Sequence, residues 1–160
     1  MNDEIDLQAE DAHEPTRHYD TGVDAWDSLL GEDLHYGFFR RGGASLTAAT
    51  NALTDERLEL ARLEPELQLL DVGCGTGKAG CRIAGEFDCQ VTGISPSQGC
   101  IDKANALARQ LGMAESAQFL IGDGTAMQFA DEQFDRDWVS ESSHLMDDKG
   151  ALLGECARVL

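Results

Sequence analysis

The sequence contains no long apolar run. No stretch approaches the roughly 18 consecutive apolar residues that a helix needs to cross a bilayer. The first residues, MNDEIDLQAEDAHE, are acidic and contain no apolar core, so they do not resemble a secretory signal. These absences predict a cytoplasmic protein that has no membrane partner.

Basic residues are scarce. Only 12 Lys and Arg residues stand against 30 Asp and Glu residues, which gives a formal net charge of −18. Such a surface repels the phosphates of nucleic acids and anionic lipids. The charge therefore predicts no nucleic-acid partner, and its simplest consequence is solubility.

Paired cysteines are also missing. The cysteine count is odd and no C-x-x-C pair occurs, so neither a zinc site nor a disulfide framework is indicated. Reduced thiols in a cytosolic protein are the simplest interpretation, and no metal site is predicted. The five cysteines are Cys74, Cys81, Cys89, Cys100 and Cys156.

The 160 residues are a one-domain length with three segments. Residues 1–16 hold six acidic residues and no Lys or Arg, which predicts a disordered acidic tail. Residues 17–64 predict a helical lid, with helices near 24–30 and over 44–64. Residues 65–160 predict the main domain.

The main domain alternates between short apolar runs and amphipathic segments. This alternation predicts an α/β fold, a doubly wound parallel sheet built from βαβ units. Strands are predicted at 67–72, 89–95, 116–122 and 134–141, and helices at 78–86, 97–111 and 148–158, with Gly112 ending the second helix.

A glycine loop, residues 73–77, joins the first strand to its helix. Its G-x-G-x-G spacing differs from the G-x-G-x-x-G of nicotinamide enzymes, which seats a pyrophosphate on a helix N-terminus. Asp71 precedes the loop, and a carboxylate there suits a cofactor that carries an ammonium and a sulfonium. The alternative is a tight turn that binds no ligand.

The motif LLDVGCGTG resembles the first motif of class I S-adenosylmethionine-dependent methyltransferases. The resemblance continues in order through VTGISPSQ, GDG and FDRDWVSESSHLMDD, and HYD near the start resembles the lid of small-molecule enzymes of this family. It implies a Rossmann-like sheet in which strands 3-2-1-4 are present, with an N-terminal helical lid. It also implies S-adenosylmethionine as cofactor, S-adenosylhomocysteine as product, and a small-molecule acceptor.

The resemblance assigns roles around the methionine end of the cofactor. Three glycines shape the loop, Cys74 fits it by its small size, and Asp71 supports it through hydrogen bonds. Tyr19 closes over the methionine end from the lid. The three loop glycines are Gly73, Gly75 and Gly77.

Other roles concern the nucleoside. The resemblance implies that Asp123 accepts a hydrogen bond from the adenine amino group, with Gly124 and Thr125 beside it. Many class I enzymes grip the ribose with a carboxylate at the end of the second strand, where this sequence has Ser95. The resemblance suggests Gln98 as the substitute.

Two residues near the fourth strand complete the expected site. Glu141 is expected to contact cofactor or acceptor. His144 is expected to act as general base, because a histidine removes a proton from a hydroxyl near neutral pH. The function expected is methyl transfer to an O, N or C atom of a small molecule.

Alternatives remain open from the sequence. YDTG and GEDLH resemble N-methyltransferases of glycine, sarcosine or dimethylglycine, and a non-catalytic cofactor-binding fragment or interaction module is the alternative of another class.

Arg136 and Asp137 are unexpected in a strand that should be central and buried. The sequence ends at Leu160, before a fifth strand, so we expect this chain alone to be inactive. An exposed fourth strand could support a homo-oligomer.

Overall fold

The protein is described by a computed structural model that covers residues 37–39 and 43–160. The acidic tail, the helix predicted near 24–30 and Tyr19 lie outside the described residues. No helix in the described part of the chain is long and apolar enough to cross a membrane. The division into a lid and a main domain stays a prediction.

Helix α1 spans Leu46–Ala61, inside the predicted range 44–64. Ser45 caps its start, since its hydroxyl accepts a hydrogen bond from the Ala48 amide at 3.2 Å. The helix ends at Arg62, which adopts a left-handed conformation, three residues before Pro65.

The predicted alternation of strands and helices is confirmed. After α1 the order is β1, α2, β2, α3, β3, β4, a 3-10 helix and α4. Their bounds are β1 Gln68–Val72, α2 Lys78–Phe87, β2 Gln90–Ser95, α3 Gln98–Gln110, β3 Ala117–Ile121, β4 Arg136–Trp138, the 3-10 helix Ser143–Leu145 and α4 Lys149–Val159. All strands are parallel in the order β3-β2-β1-β4, so the α/β Rossmann-like fold class is confirmed.

Two apolar clusters cover the sheet, one on each face. Because successive strand residues point to opposite faces, Leu69 packs with α2 and α3, while Leu70 packs with α4. Both leucines are buried completely or almost so. A strand buried on both faces reads as a continuous apolar run, which explains why LQLLDV predicts β1 so clearly.

The fourth strand differs from its prediction. Strand β4 has three residues where the sequence predicts a strand over 134–141, and it pairs only with β1 in the described sheet. Arg136 is exposed there, and its guanidinium donates to the Asp135 carbonyl at 2.6 Å. Asp137 is half-buried beside Cys156, whose thiol pKa is raised to about 12 by burial and by this carboxylate. The two charges, which are unexpected in a buried strand, thus lie at an exposed and a half-buried position of a short strand.

Candidate functional site

Four loops meet at one edge of the sheet, which we call the carboxyl edge. Because the strands are parallel, their carboxyl ends lie together, and ligands of open α/β sheets bind there. The loops are the glycine loop 73–77 after β1, residues 95–98 after β2, residues 122–125 after β3 and residues 139–146 after β4, here called the post-β4 segment.

The glycine loop turns sharply by left-handed backbone conformations. Gly73, Gly75 and Gly77 have φ angles of 81°, 53° and 79°, which residues with a side chain rarely adopt. The amides of Gly73 and Cys74 both donate to the Ile94 carbonyl, at 2.8 and 3.0 Å. The loop is thus fixed to the end of β2 by its backbone.

The three glycines meet different surroundings. A Cβ on Gly73 would collide with the Ser142 side chain, and one on Gly77 would lie 2.7 Å from the Ala104 Cβ. A Cβ on Gly75 would meet nothing within 4 Å. Gly73 and Gly77 therefore serve packing, whereas Gly75 leaves open space above the loop where a ligand can approach the backbone.

Asp71 lies buried below this loop. It is 3 % exposed, and burial raises the pKa of its carboxyl to about 7. Within the part of the chain that the structure describes, its Oδ2 has no hydrogen-bond partner. The loop-supporting hydrogen bonds that the family resemblance implies for Asp71 stay a prediction.

The end of β2 brings the two predicted ribose residues to the carboxyl edge. Ser95 is buried, and its hydroxyl accepts from the Ser97 amide at 3.3 Å. Gln98 is exposed in the first turn of α3, and its side-chain amide donates to Asp102 at 2.8 Å. Both side chains make local contacts, and their ribose role stays a prediction.

The end of β3 forms a tight turn around Asp123. Its Oδ1 accepts from both the amide and the hydroxyl of Thr125, at 2.8 and 2.7 Å. Gly124 is buried, and a Cβ there would lie 2.7 Å from the Val72 side chain. The turn holds Asp123 exposed at the carboxyl edge, consistent with a ligand contact.

The post-β4 segment is held by side chains. The Arg57 guanidinium of α1 donates to the Ser140 hydroxyl at 2.5 Å and pairs with the Glu141 carboxylate at 3.0 Å. Ser142 is buried and donates to the Val72 carbonyl at 2.6 Å. His144 is exposed in the 3-10 helix that follows. These contacts place Glu141 beside α1 and leave the His144 imidazole open to solvent.

Sequence reasoning missed Arg57 and Ser142. The Arg57–Glu141 pair joins residues 84 positions apart, and the bond from Ser142 to Val72 spans 70 positions. No local pattern marks either pair. Ser142 is linked to the glycine motif only in the folded structure, where a side chain at residue 73 would collide with it.

A groove of about 610 Å³ lies between α2 and α3. It borders the glycine loop at Thr76 and is otherwise lined mainly by long side chains such as Arg82, Lys103 and Leu107. None of the predicted site residues lines this groove. In the described residues no group of three or more His, Cys, Asp or Glu side chains could hold a metal ion.

The chain was compared with known families and proteins. A family model described as a methyltransferase domain matches residues 69–160. The chain is 37 % identical over 142 residues to 27-O-demethylrifamycin SV methyltransferase of Amycolatopsis mediterranei (strain S699). The aligned region covers 89 % of this chain and 52 % of the relative. The chain thus spans about half the length of the curated relatives it matches.

Solved structures share the architecture. The cyclase SpnF superposes with a TM-score of 0.86 at 32 % identity, over 91 % of this chain and 54 % of that one. Geranyl diphosphate C-methyltransferase of Streptomyces coelicolor A3(2), in complex with Mg2+, geranyl diphosphate and S-adenosyl-L-homocysteine, superposes with a TM-score of 0.76 at 22 % identity, over 91 % and 58 % of the two chains. At 22 % identity, the likeness to the geranyl diphosphate enzyme shows a shared fold only.

Proposed function

The chain belongs to the class I S-adenosylmethionine-dependent methyltransferases, and from this premise we propose that the protein methylates a hydroxyl oxygen of a small organic molecule. The observation that carries the proposal is the carboxyl edge, where an open glycine loop lies beside an exposed histidine-bearing segment. The relative from Amycolatopsis mediterranei, whose name states an O-methylation, supports oxygen as the acceptor atom.

The residues at the carboxyl edge fit the cofactor. Gly75 leaves room for a ligand against the backbone, and one oxygen of the Asp71 carboxyl below it, Oδ2, has no hydrogen-bond partner among the described residues. A carboxylate suits the ammonium and sulfonium of S-adenosylmethionine. We propose that the glycine loop holds the methionine end, that Ser95 and Gln98 hold the ribose, and that Asp123 holds the adenine.

When bound, the cofactor supplies an electrophilic methyl group on sulfur, so the chain's own residues mainly orient the acceptor and remove its proton. We propose His144 for the proton. Its exposed imidazole lies on the post-β4 segment, which the Ser142 hydroxyl joins to the end of β1. A histidine side chain can accept a proton near neutral pH.

The proposal is tested by methyl transfer in the full-length protein. Isotope-labelled S-adenosylmethionine is supplied with hydroxylated small molecules, starting from 27-O-demethylrifamycin SV, and label in the product is measured by mass spectrometry. We expect His144→Ala to lower turnover about 10²–10⁴-fold, as the loss of a positioned base does, with cofactor affinity unchanged.

Glycine variants control for the cofactor site. Gly75→Arg should abolish cofactor binding because it fills the open space above the loop. Gly112→Arg is the matched control, since Gly112 also has a left-handed φ, of 71°, and a side chain there also meets nothing within 4 Å, but it lies after α3 and outside the carboxyl edge. Full turnover in His144→Ala, or unchanged binding in a folded Gly75→Arg protein, would contradict the assignments.

A second candidate is a cyclase. The likeness to SpnF, at 32 % identity and a TM-score of 0.86, favours it. The same experiment separates the two, because a cyclase changes its substrate without transferring the label and without producing S-adenosylhomocysteine. Methylation of glycine derivatives is less favoured, because the Arg57 guanidinium beside the post-β4 segment is already paired with Glu141 and not with an acceptor carboxylate.

A further inference from the structure

Two buried polar side chains lie next to each other below the glycine loop. Asp71 of β1 and Trp138 of β4 are partners in the parallel register. Leu70 and Val72 on either side of Asp71 pack on the α4 face, so Asp71 points to the opposite face, where Trp138 belongs to the cluster with α2 and α3. The two side chains therefore share one face of the sheet.

Their polar atoms are complementary and unsatisfied. Asp71 is 3 % exposed and Trp138 is 7 % exposed. Among the residues that the structure describes, neither the Asp71 Oδ2 nor the Trp138 Nε1 has a hydrogen-bond partner. An indole nitrogen can only donate and an ionised carboxylate can only accept. Buried polar groups in folded proteins are almost always paired, so this donor and this acceptor require a common explanation.

We propose that Trp138 is the hydrogen-bond donor for the Asp71 carboxylate, through one bridging water, and is thereby a positioning residue that keeps a negative charge below the glycine loop. The two atoms do not bond directly, and a single buried water satisfies two or more polar atoms that lie near each other. Trp138 acts through Asp71 and does not itself touch the ligand. The consequence for ligand binding rests on the proposed cofactor site.

The proposal gives Trp138 a definite effect on protonation. Burial alone raises the pKa of Asp71 to about 7, which would leave the carboxyl half neutral at physiological pH. A donor to the ionised form favours that form and lowers the pKa. A charged Asp71 attracts the cations of the cofactor, whereas a neutral one does not.

The ionisable groups around Asp71 include two thiols whose pKa values lie above that of its carboxyl. Burial and the Asp71 charge raise the pKa of the Cys74 thiol in the loop well above its ordinary value, and that of the Cys81 thiol on α2 to about 11. Helix α3 contributes Cys100, a buried thiol next to Cys74. Helix α1 contributes Glu56, with one buried oxygen, and Arg57, which is bound to Glu141.

The pair is tested first without a ligand. The sequence contains two tryptophans, so Trp26→Phe leaves Trp138 as the single indole. We expect its fluorescence emission to change with one midpoint between pH 5 and 8, and this change to disappear in Trp26→Phe/Asp71→Asn. A flat emission in the parent, or the same titration in the Asn variant, would overturn the proposal.

The second test measures S-adenosylhomocysteine affinity against pH. In Trp138→Phe, which keeps a ring but removes the N–H, we expect the midpoint of the pH dependence to rise by about one to two pH units, a tenfold to hundredfold change in proton affinity. A merely structural loss would weaken binding equally at every pH, and an unchanged midpoint in the folded variant would overturn the proposal. If S-adenosylhomocysteine binds at no pH, the cofactor site is wrong, while the emission titration still decides the pair.

Discussion

The glycine loop and the post-β4 segment lie side by side at the carboxyl edge, but different interactions hold them. Two backbone amides fix the glycine loop to the Ile94 carbonyl. Side-chain contacts from Arg57 and Ser142 fix the post-β4 segment, which carries a strained Glu141 with a φ of 57°. A site can thus combine a loop determined by local backbone chemistry with a segment determined by distant side chains.

The two ways of holding a segment should respond differently to substitution. The region proposed to receive the cofactor is fixed by backbone hydrogen bonds and by glycine conformations. The region proposed to face the acceptor is held by contacts that single substitutions can remove. We expect substitutions in the two regions to have different effects, and the following predictions rank them by size.

The largest effect concerns Asp71 below the glycine loop. Because burial raises its pKa to about 7, the folded protein binds a proton that the unfolded chain, with an ordinary pKa near 4, has released. This contribution to stability is complete below about pH 4 and is lost as the pH rises to 7. With burial alone, as in Trp138→Phe, the loss from pH 5 to 8 is about 3 kcal/mol, roughly two pKa units at 1.36 kcal/mol each, and the hydrogen bond proposed from Trp138 makes it smaller in the wild type.

Urea unfolding of the wild type and Asp71→Asn at pH 5 and pH 8 measures this effect. The Asn variant should lack the decrease, because an amide does not titrate in this range. An identical pH dependence in both proteins would show that Asp71 is not a buried, titrating carboxyl.

A smaller effect should separate two glycines of the loop. Gly73→Ala should cost about 2 kcal/mol more unfolding free energy than Gly75→Ala. Both require a left-handed residue, but only residue 73 also collides with Ser142. In a double-mutant cycle, Ser142→Gly should relieve part of the Gly73→Ala cost. Purely additive effects would contradict a steric contact between the loop and the post-β4 segment.

The next effect compares two arginines that each contact two partners. Arg57→Met should lower the free energy of unfolding by about 1–2 kcal/mol, because Glu141, 11 % exposed in its side chain, loses this ion pair. Arg82→Met removes exposed pairs with Asp55 and Glu86, so we expect a loss below about 1 kcal/mol.

Hydrogen exchange locates the Arg57 effect. In Arg57→Met the amides of residues 139–146 should exchange faster, while those of the glycine loop should keep their protection. Equal losses in stability for the two arginines, or faster exchange in both regions, would contradict the distinction between a backbone-held loop and a segment held by side chains.

The sequence was most informative where structure is local. The bounds of β1, α2 and β2, the glycine turn and the end of α3 at Gly112 all follow from short-range patterns, and the structure agrees to within about two residues. The predicted length of β4 was wrong. In the described sheet only residues 136–138 pair with β1, and this pairing depends on contacts that the strand's own residues do not encode. Arg57 was missed for the same reason, since its partners lie more than 80 positions away.

The candidate site divides in the same way. Apart from Asp71 within β1, the described site residues lie in or beside the loops at the carboxyl edge, because the strand–helix alternation determines where strands end. The sequence did not predict the directions of the side chains. Glu141 faces Arg57, a contact that depends on how α1 packs, whereas Gln98 faces Asp102 one turn further along its own helix.

The central claim is that the carboxyl edge binds S-adenosylmethionine, and hydrogen exchange with and without saturating S-adenosylhomocysteine tests it most directly. The account predicts new protection at residues 73–77, 95–98 and 122–125, where the loops meet, and no change at residues 107–113 beside the groove between α2 and α3. Protection confined to that groove, with the glycine loop unaffected, would contradict the account.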